Sequence, residues 1–249
     1  MTDSCPVALV TGSATGIGRA CALRFARLGF DIGVNYSQSH EEAKETARLV
    51  EEIGMRAVLI RCDVSQDAEV VSMISEIEQS FGRLDVLVNN AGTTYFVEHQ
   101  DLESMTEERW DRILGVNLKG PFFCIRAAAR LLRQSDRAAV VSVSSVAGLT
   151  GLGSSVAYCA SKGALNTMTK SLSRALAPEI RVNAVCPGPV DSRWLRRVMS
   201  DQELLDRTKD YPLPRPAQPD DIADAVIYLA TGTTLTTGQL LVVDGGRTM

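Results

Sequence analysis

The sequence predicts a single doubly wound α/β domain, in which helices cover both faces of a seven-stranded parallel sheet. Short β-branched runs alternate with longer amphipathic stretches along all 249 residues, as in successive right-handed βαβ units. Several runs are apolar almost throughout, as expected when both faces of a parallel strand are covered. No long linker, internal repeat or low-complexity tract divides the chain, so residues 1–249 are predicted to form one domain.

The predicted strands are short runs rich in valine, isoleucine and leucine that turn residues interrupt. In chain order they are Val7–Thr11, Asp31–Asn35, Arg56–Arg61, Val86–Asn89, Ala138–Val143, Arg181–Val185 and Gln239–Val243. The predicted helices lie between them, where apolar residues recur at a spacing of three or four. They are Gly16–Leu28, His40–Ile53, Asp67–Phe81, Thr106–Leu132, Tyr158–Leu176 and Pro219–Leu229. The last begins well, because proline suits the first helical position and aspartates suit the first turn.

Residues 187–218 form an irregular segment between the last two strand–helix units. It contains a short predicted helix, Trp194–Asp206, and then the proline-rich stretch Tyr211–Pro219. Proline-rich stretches can be ligands of small recognition domains, but these prolines are better interpreted as rigid turns leading into the last helix. An insertion beyond the carboxyl ends of the strands is also where a substrate-covering lid would lie.

Composition and charge exclude several classes of function. The formal net charge is −4, without a long basic block, whereas a nucleic-acid-binding domain shows a basic patch or stripe. No run approaches the roughly 18 apolar residues of a membrane helix, and Met1–Cys5 lacks the features of a signal peptide. We therefore expect a cytoplasmic protein that binds neither nucleic acid nor membrane.

The cysteines and histidines predict no metal site. The cysteines are scattered without a C-x-x-C pair, and His40 and His99 stand apart. A catalytic zinc site needs several nitrogen or sulfur ligands in a workable arrangement. In a cytosolic chain, scattered cysteines are usually small buried apolar residues.

The first strand runs into a glycine-rich loop, in which Gly12, Gly16 and Gly18 follow the spacing G-x-x-x-G-x-G. Glycines here let the backbone turn tightly and approach a pyrophosphate, whose charge meets the N-terminus of the next helix. Turns also use glycine for conformational reasons alone, but the strand-to-helix position favours a phosphate site.

Two further segments follow strands at the same edge of the sheet. In Cys62-Asp63-Val64, the carboxylate of Asp63 could accept a hydrogen bond from an adenine amino group. The segment Asn89-Asn90-Ala91-Gly92 could be a simple turn, but it would line the crevice where the strand order reverses.

Strand five ends in Ser142-Val143-Ser144-Ser145, and Tyr158 and Lys162 follow at a spacing that puts them on one helix face. A free tyrosine has a pKa of about 10, and a nearby ammonium group or an oxidised nicotinamide would lower that pKa. A serine hydroxyl from the strand end could hold a substrate oxygen as its charge changes. Tyr-x-x-x-Lys pairs also arise by chance on helix surfaces, so the pair alone is weak.

Taken together, these features resemble the short-chain dehydrogenase/reductase family, which has a Rossmann-like fold. The match runs from Val7 to Gly246, and the step of 13 residues from Ser145 to Tyr158 selects Ser145 rather than Ser144 as the family's serine. The residues that carry it are Gly12-x-x-x-Gly16-x-Gly18, Asn89–Gly92, Asn117, Ser145, Tyr158-x-x-x-Lys162 and Pro187-Gly188.

The resemblance implies a role for each catalytic candidate. Tyr158 would be the general acid/base, Lys162 would bind the nicotinamide ribose and lower the tyrosine's pKa, and Ser145 would orient the substrate oxygen. Asn117 would anchor a water relay to Lys162, although an asparagine inside a long helix can also simply bend or cap it.

The expected cofactor contacts combine the residue patterns with the resemblance. Ser192 stands where the family usually has threonine, and it keeps the hydroxyl. The contacts are Gly12, Ser13, Thr15, Gly16, Ile17, Gly18, Asn35, Tyr36, Ser37, Asp63, Val64, Asn90, Ala91, Gly92, Tyr158, Lys162, Pro187, Gly188, Val190 and Ser192.

Within the family the chain is most similar to the 3-oxoacyl-carrier-protein reductase group. The supporting stretches are Val34–Ser37, Arg215 before Pro219–Ala223, and Thr237–Gly246. The resemblance implies hydride transfer between a nicotinamide and a small-molecule carbonyl or secondary alcohol, with a 3-oxoacyl thioester as one substrate class. Sugar, polyol and steroid alcohols are alternatives.

The sequence also bears on a non-catalytic role and on a carrier-protein partner. A non-catalytic nucleotide-binding regulator could dispense with the proton donor, so the presence of Ser145, Tyr158 and Lys162 together argues against that class. An acidic carrier protein would need a basic docking surface. Arg130, Arg133 and Arg137 could supply one, but Asp136 interrupts it, and a solvated helix end explains them equally.

The end of strand two predicts NADP(H) in preference to NAD(H). NAD-preferring folds place an acidic side chain there, whereas this chain has Asn35-Tyr36-Ser37 and no acidic residue before Glu41. Amide and hydroxyl groups could donate to a 2′-phosphate. The attraction is weak, because Asn35–Ser39 holds no basic residue and Arg19 points along the helix.

The resemblance also implies a homotetramer, built from the long helices and the last strand. Gly120–Ile125 and Leu240–Val243 supply apolar surface for such contacts, although much of it could be ordinary core.

Overall fold

The strands form one parallel sheet in the order β3-β2-β1-β4-β5-β6-β7 in the computed structural model, which describes residues 5–249. All seven predicted strands are present, and the parallel, doubly wound sheet is confirmed. Their bounds are β1 Val7–Val10, β2 Asp31–Tyr36, β3 Ala57–Arg61, β4 Val86–Asn89, β5 Ala139–Val143, β6 Arg181–Pro187 and β7 Leu240–Val243.

Helices cover both faces of the sheet, as predicted. The bounds are α1 Gly16–Arg27, α2 His40–Glu52, α3 Asp67–Phe81, α4 Glu107–Leu114, α5 Gly120–Leu132, α6 Ala147–Thr150, α7 Val156–Ala175, α8 Asp201–Thr208 and α9 Pro219–Thr231. Helices α1, α2 and α9 pack on one face, around Phe25, Val50 and Val226. Helices α3, α5 and α7 pack on the other, around Met73 and Leu131.

Two predicted helices differ from the structure in their type or their bounds. The predicted helix Thr106–Leu132 is helical from Glu107 to Leu132, but a π turn at Gly115–Lys119 joins α4 to α5. The stretch Trp194–Asp206 is a 3₁₀ turn, Leu195–Arg197, followed by α8. Helix α8 starts late because Ser200 and Glu203 form a capping box around its first turn.

The carboxyl ends of the strands collect the candidate residues at one edge of the sheet. The irregular segment 187–218 leaves β6 and returns at the same place, where Val190 bridges Ala217 and Asp191 N–H donates to the Ala217 carbonyl oxygen at 2.8 Å. The segment therefore forms a loop with joined ends above this edge.

Five of the cysteines are buried, as predicted, and Cys5 is exposed. Among residues 5–249, no side-chain cluster has the composition of a metal site. No helix in the same part of the chain is both long and apolar enough to cross a membrane.

Candidate active site

The glycine-rich loop after β1 is shaped to hold a phosphate. Gly12 has φ of +62°, which suits glycine. A Cβ on Gly18 would lie 2.4 Å from the Gly12 carbonyl oxygen and 2.5 Å from Asn90 Nδ2, so only glycine fits. No side chain caps α1 at Thr15, and its first turn has no acidic residue. The first amides of α1 can therefore donate to an anion.

Asn90 fixes the loop to the turn after β4. Its Nδ2 donates to the carbonyl oxygens of Thr11 at 2.8 Å and Gly12 at 3.0 Å. The N–H groups of Asn90 and Ala91 both donate to Thr11 Oγ1. The glycine-rich loop and the turn after β4 are therefore adjacent, as predicted. The Asn90 side chain holds the backbone of the loop.

Asn35 also supports the loop, and this corrects the expectation that its amide could donate to a phosphate. The side chain is 1% exposed. Its Oδ1 accepts from Gly12 N–H at 3.0 Å, while Nδ2 donates to the Cys62 and Ile60 carbonyl oxygens. The neighbouring Ser13 is equally buried, and its hydroxyl faces the Asn35 carbonyl oxygen at 3.4 Å. Neither side chain is free for a ligand.

The other residues expected at the adenosine end of the cofactor differ in whether their polar atoms are free to contact it. The Tyr36 hydroxyl pairs with His40 Nδ1 at 2.6 Å, whereas Ser37 is exposed. Asp63 already accepts hydrogen bonds from Ser65 and from Arg112 Nη1, the latter at 2.7 Å. An adenine amino group would join these partners. Val64 and Ile17 contribute to the apolar packing beneath the loop.

Helix α7 presents Tyr158 beside the end of β5. The helix begins at Val156, two residues before the predicted start, because Ser155 caps it by accepting from Tyr158 N–H at 3.2 Å. Burial raises the pKa of Tyr158 to about 12, while a hydrogen bond with Ser145 acts in the opposite direction. A Cβ on Gly153 would lie 3.2 Å from the same ring.

Lys162 lies one turn further along α7 and is 4% exposed. Its Nζ donates to the Val143 carbonyl oxygen at 2.8 Å and lies 5.8 Å from the centre of the Tyr158 ring. Burial lowers the pKa of Lys162 to about 8. The expected lowering of the tyrosine pKa is therefore not what this arrangement gives, because burial of Tyr158 dominates and the ammonium is bonded elsewhere.

The two serines at the end of β5 have different surroundings. Ser144 is buried, and its hydroxyl donates to Asn166 Oδ1 at 2.6 Å. Ser145 is partly exposed, and its hydroxyl accepts from Ala147 N–H and bonds to Tyr158. The geometry therefore puts Ser145, the serine selected from the sequence, next to the tyrosine.

Asn117 lies in the π turn and is fully buried. Its Oδ1 accepts from Thr93 N–H at 2.8 Å, and its Nδ2 donates to the Thr93 carbonyl oxygen at 2.9 Å and to Ser161 Oγ at 3.1 Å. The side chain thus ties the turn after β4 to α7. Single π turns are frequent at functional sites.

The start of segment 187–218 lies beside this group of residues. Val146 N–H donates to the Pro187 carbonyl oxygen, and Gly188 packs so closely against Asp244 that a Cβ would lie 2.8 Å away. Val190 is buried and Ser192 is partly exposed.

Sequence reasoning missed Trp194, which lies directly on the site. Its ring packs edge-on against Tyr158 with centres 5.9 Å apart, and a Cβ on Gly92 would lie 3.6 Å from it. The only available signal was a large aromatic residue in the segment predicted to contain a lid.

This arrangement suits the exchange of a proton with an oxygen atom. A phenol, a hydroxyl and an ammonium group meet where β5 ends, and the phosphate-holding loop lies at the end of β1, on the same edge of the sheet. A dinucleotide laid along this edge would extend from the loop toward Tyr158.

Comparison with known proteins agrees with this description. A family model described as Enoyl-(Acyl carrier protein) reductase matches residues 12–248. A Streptomyces violaceoruber protein assigned as ketoacyl reductase 2 of the granaticin polyketide synthase is 40% identical over 242 residues, which cover 97% of this chain and 95% of that protein. The 3-oxoacyl-acyl-carrier-protein reductase FabG of Staphylococcus aureus is 38% identical over 244 residues, covering 97% and 98% of the two chains.

A solved structure is similar over nearly the whole length. The crystal structure of a Burkholderia xenovorans protein assigned as a short-chain dehydrogenase/reductase has a TM-score of 0.92 and 38% identity, covering 99% of this chain and 98% of that one. The chain is therefore a nicotinamide-dependent oxidoreductase acting on CH–OH and C=O groups, and it belongs to the short-chain dehydrogenase/reductase family.

Proposed function

We propose that the protein reduces the 3-oxo group of a 3-oxoacyl thioester with NADPH. The observation that carries this proposal is the meeting of Ser145, Tyr158 and Lys162 beside the nucleotide loop. When bound, the reduced nicotinamide supplies the hydride for the carbonyl carbon. Tyr158 gives its hydroxyl proton to the carbonyl oxygen, Ser145 holds that oxygen, and the products are a secondary alcohol and the oxidised cofactor.

The protonation states of Tyr158 and Lys162 at neutral pH suit the donation of a proton to a carbonyl oxygen. With a pKa of about 12, the Tyr158 hydroxyl stays protonated at neutral pH and is a proton donor. With a pKa of about 8, Lys162 still carries its charge at pH 7, and its Nζ donates to the Val143 carbonyl oxygen. Asn117, which joins α7 to the turn after β4, holds the backbone around this pair in position.

An acyl chain fits the apolar rim of the site. Three segments lie around Tyr158. Trp194 of segment 187–218 and Gly153 of the turn before α7 pack against its ring. The turn after β4 adjoins them, because Thr94 bonds to Ser154 at 2.6 Å. Each segment also exposes apolar side chains. These are Phe96, Leu149, Leu152, Val198 and Leu213. The names of the ketoacyl and 3-oxoacyl reductases to which the chain is similar point to the same substrate class.

The arginines at the end of α5 do not support a carrier-protein surface. Arg130 pairs with Glu78, and Arg137 pairs with Asp136. The end of α5 leads into the start of β5, so it lies at the edge of the sheet opposite Tyr158 of the same chain. The solvated helix end is the better explanation, and the proposal therefore specifies a thioester without specifying its carrier.

Segment 187–218 is proposed to be the lid of the site. It places Trp194 against the Tyr158 ring, and its joined ends let it move as a unit. The chain has two tryptophans, so Trp110→Phe leaves Trp194 as the single reporter. We expect its fluorescence to change when NADP⁺ binds, and an unchanged spectrum at saturation would contradict the lid.

NADP(H) is proposed over NAD(H) because no acidic side chain lies within β2 after Asp31 or in the turn that follows it. The exposed Ser37 offers a hydroxyl there, whereas the Asn35 amide is excluded by its own hydrogen bonds. We also propose the homotetramer that the resemblance implies.

The function is tested by following NADPH oxidation with acetoacetyl-CoA, acetoin, a ketosugar and a 3-ketosteroid at matched concentrations. We expect kcat/KM for acetoacetyl-CoA to exceed that for the others by about tenfold or more. A higher value for the sugar, acetoin or steroid would replace the thioester by that class. No turnover of any substrate with either NADPH or NADH would contradict the proposed reaction.

A further inference from the structure

The lid brings Arg193 to a place that its sequence position does not suggest. Its guanidinium pairs with the carboxylate of Glu42 in the first turn of α2, and its Nη2 lies 3.4 Å from Ser39 Oγ. Ser39 belongs to the turn that follows β2. In doubly wound nucleotide-binding folds the adenosine ribose lies at this strand end, where an acidic side chain reads the 2′-hydroxyl or an arginine accommodates a 2′-phosphate.

Two arginine side chains approach Glu42 at this strand end. Arg19 also approaches Glu42, because its Nη2 donates to the Glu42 and Ala14 carbonyl oxygens at 2.7 Å. Two guanidinium groups thus flank one carboxylate. The carboxylates of Glu41 and Glu45 are paired with Lys44 and Arg48 of their own helix. Arg48 also pairs with Glu52, so the cations that face Glu42 are the guanidinium groups of Arg19 and Arg193. A dianionic phosphate beside Ser39 would be attracted by both.

The two arginines differ in their freedom to meet a ligand. Arg19 is held by backbone carbonyl oxygens and by Thr46 Oγ1 at 2.9 Å, so it joins the glycine-rich loop to α2. The side chain of Arg193 is 51% exposed, and its contacts are with other side chains. Arg193 can therefore exchange its partner without breaking the backbone structure, and a planar guanidinium binds a phosphate in a bidentate manner.

We propose that Arg193 is the residue that recognises the 2′-phosphate of NADP(H), leaving Glu42 for the phosphate when the cofactor binds. This inference deepens the proposed NADP preference and depends on it. It supplies the cation that the residues around β2 lack. Because Arg193 lies next to Trp194, the same contact would hold the lid against Tyr158.

The test measures binding, by isothermal titration of NADP⁺, NAD⁺, 2′,5′-ADP and 5′-AMP to the wild type and to Arg193→Gln. We expect Arg193→Gln to bind NADP⁺ and 2′,5′-ADP about tenfold or more weakly, with the affinities for NAD⁺ and 5′-AMP nearly unchanged. Arg197→Gln is the matched control, since Arg197 is an exposed arginine of the same segment without an ion pair among the described residues. We expect its four affinities to equal those of the wild type.

Glu42→Gln should change the affinity for 2′,5′-ADP in the opposite direction to Arg193→Gln. It frees the guanidinium and removes a negative charge, so 2′,5′-ADP should bind more tightly to this variant than to the wild type. An unchanged 2′,5′-ADP affinity in Arg193→Gln, or an equal loss for all four ligands, would overturn the role of Arg193. The wild-type titration judges the underlying proposal separately, because tighter binding of NAD⁺ than of NADP⁺ would contradict the NADP preference itself.

Discussion

At the scale of single residues, the site combines a half-buried tyrosine and a buried lysine whose pKa values shift in opposite directions. The pKa of Tyr158 is raised to about 12 and that of Lys162 is lowered to about 8, and burial is the largest cause of both. Burial favours the neutral form of each group. At neutral pH the Tyr158 hydroxyl therefore keeps its proton, while the Lys162 ammonium is still charged.

Replacing Tyr158 by phenylalanine removes the proton donor and keeps the ring. We expect kcat for reduction to fall by about 10²-fold or more, the usual contribution of general acid–base catalysis. The dissociation constant for NADP⁺ should stay within about twofold, because Ser145 and Lys162 are unchanged. Near-normal turnover by Tyr158→Phe would show that another group supplies the proton.

The lowered pKa of Lys162 predicts a pH dependence of stability. Between the folded value of about 8 and the ordinary value of 10.5, the unfolded chain holds a proton that the folded chain has released. The free energy of unfolding contributed by this group therefore rises with pH across that window. Below pH 8 the folded protein carries the full penalty of the buried charge.

This dependence is measured by comparing Tm values of the wild type and Lys162→Met from pH 7 to pH 10. We expect the Tm of the variant, relative to the wild type, to fall as the pH rises, because only the wild type gains stability. Lys170→Met, an exposed lysine of the same helix, should show no such trend. A Tm difference independent of pH would mean that Lys162 titrates at its ordinary pKa.

At the scale of elements, the short helix α6 positions Ser145 against α7. The two helices touch where a Cβ on Gly148 would lie 2.5 Å from the Lys162 carbonyl carbon and 2.7 Å from Gly163 N. These are backbone atoms of a long helix, so they cannot move aside cheaply. A close approach of this kind sets the distance between Ser145 and Tyr158.

Gly148→Ala should therefore damage both stability and catalysis. Overpacking of this type costs about 1–3 kcal/mol, and kcat should fall because Ser145 is displaced from Tyr158. The matched control is Gly163→Ala on the facing helix, whose Cβ would lie 3.5 Å from the nearest atom, an ordinary contact. Thermal unfolding and kcat of the two variants should differ, and equal effects would refute the role of this contact.

The elements also show how far sequence patterns reach. Apolar strands are predictable because the pattern of buried side chains lies within a few consecutive residues. All seven strands were predicted from the sequence. The π turn between α4 and α5 cannot be predicted from neighbouring residues. Asn117 in this turn bonds to Thr93 and Ser161, which only the folded chain brings near. The start of α8 was readable, since Ser200 and Glu203 have the spacing of a capping box. The closeness of Ser145, Tyr158 and Lys162 followed from their spacing in the sequence, whereas the positions of Arg193 and Trp194 depend on how segment 187–218 folds back.

At the scale of the whole molecule, apolar surface remains at the edge of the sheet and on α5. Strand β7 ends the sheet, and Val242 is 38% exposed on it. On α5, Phe122 is 39% exposed, and Arg126 lies over its ring with 5.9 Å to the ring centre. These are the elements from which the proposed tetramer would be built.

Light scattering at micromolar concentration should give four times the mass of the chain. Phe122→Glu introduces charge into the exposed patch on α5, so we expect a smaller assembly. Leu28→Glu, at the end of α1 and 53% exposed, is a control that should leave the mass unchanged. A monomer mass for the wild type would refute the tetramer.

The strand order has a consequence for the chain as the ribosome releases it. β4 arrives beside β1, whose other edge β2 already occupies, and β5, β6 and β7 then each join the strand made just before. From β4 onward, every new strand therefore has its neighbour in the sheet already synthesised when it emerges. The loop at Gly12 and its clamp Asn90 are complete long before Tyr158 is translated. Synthesis therefore completes the residues of the glycine-rich loop and its Asn90 contact before those of α7.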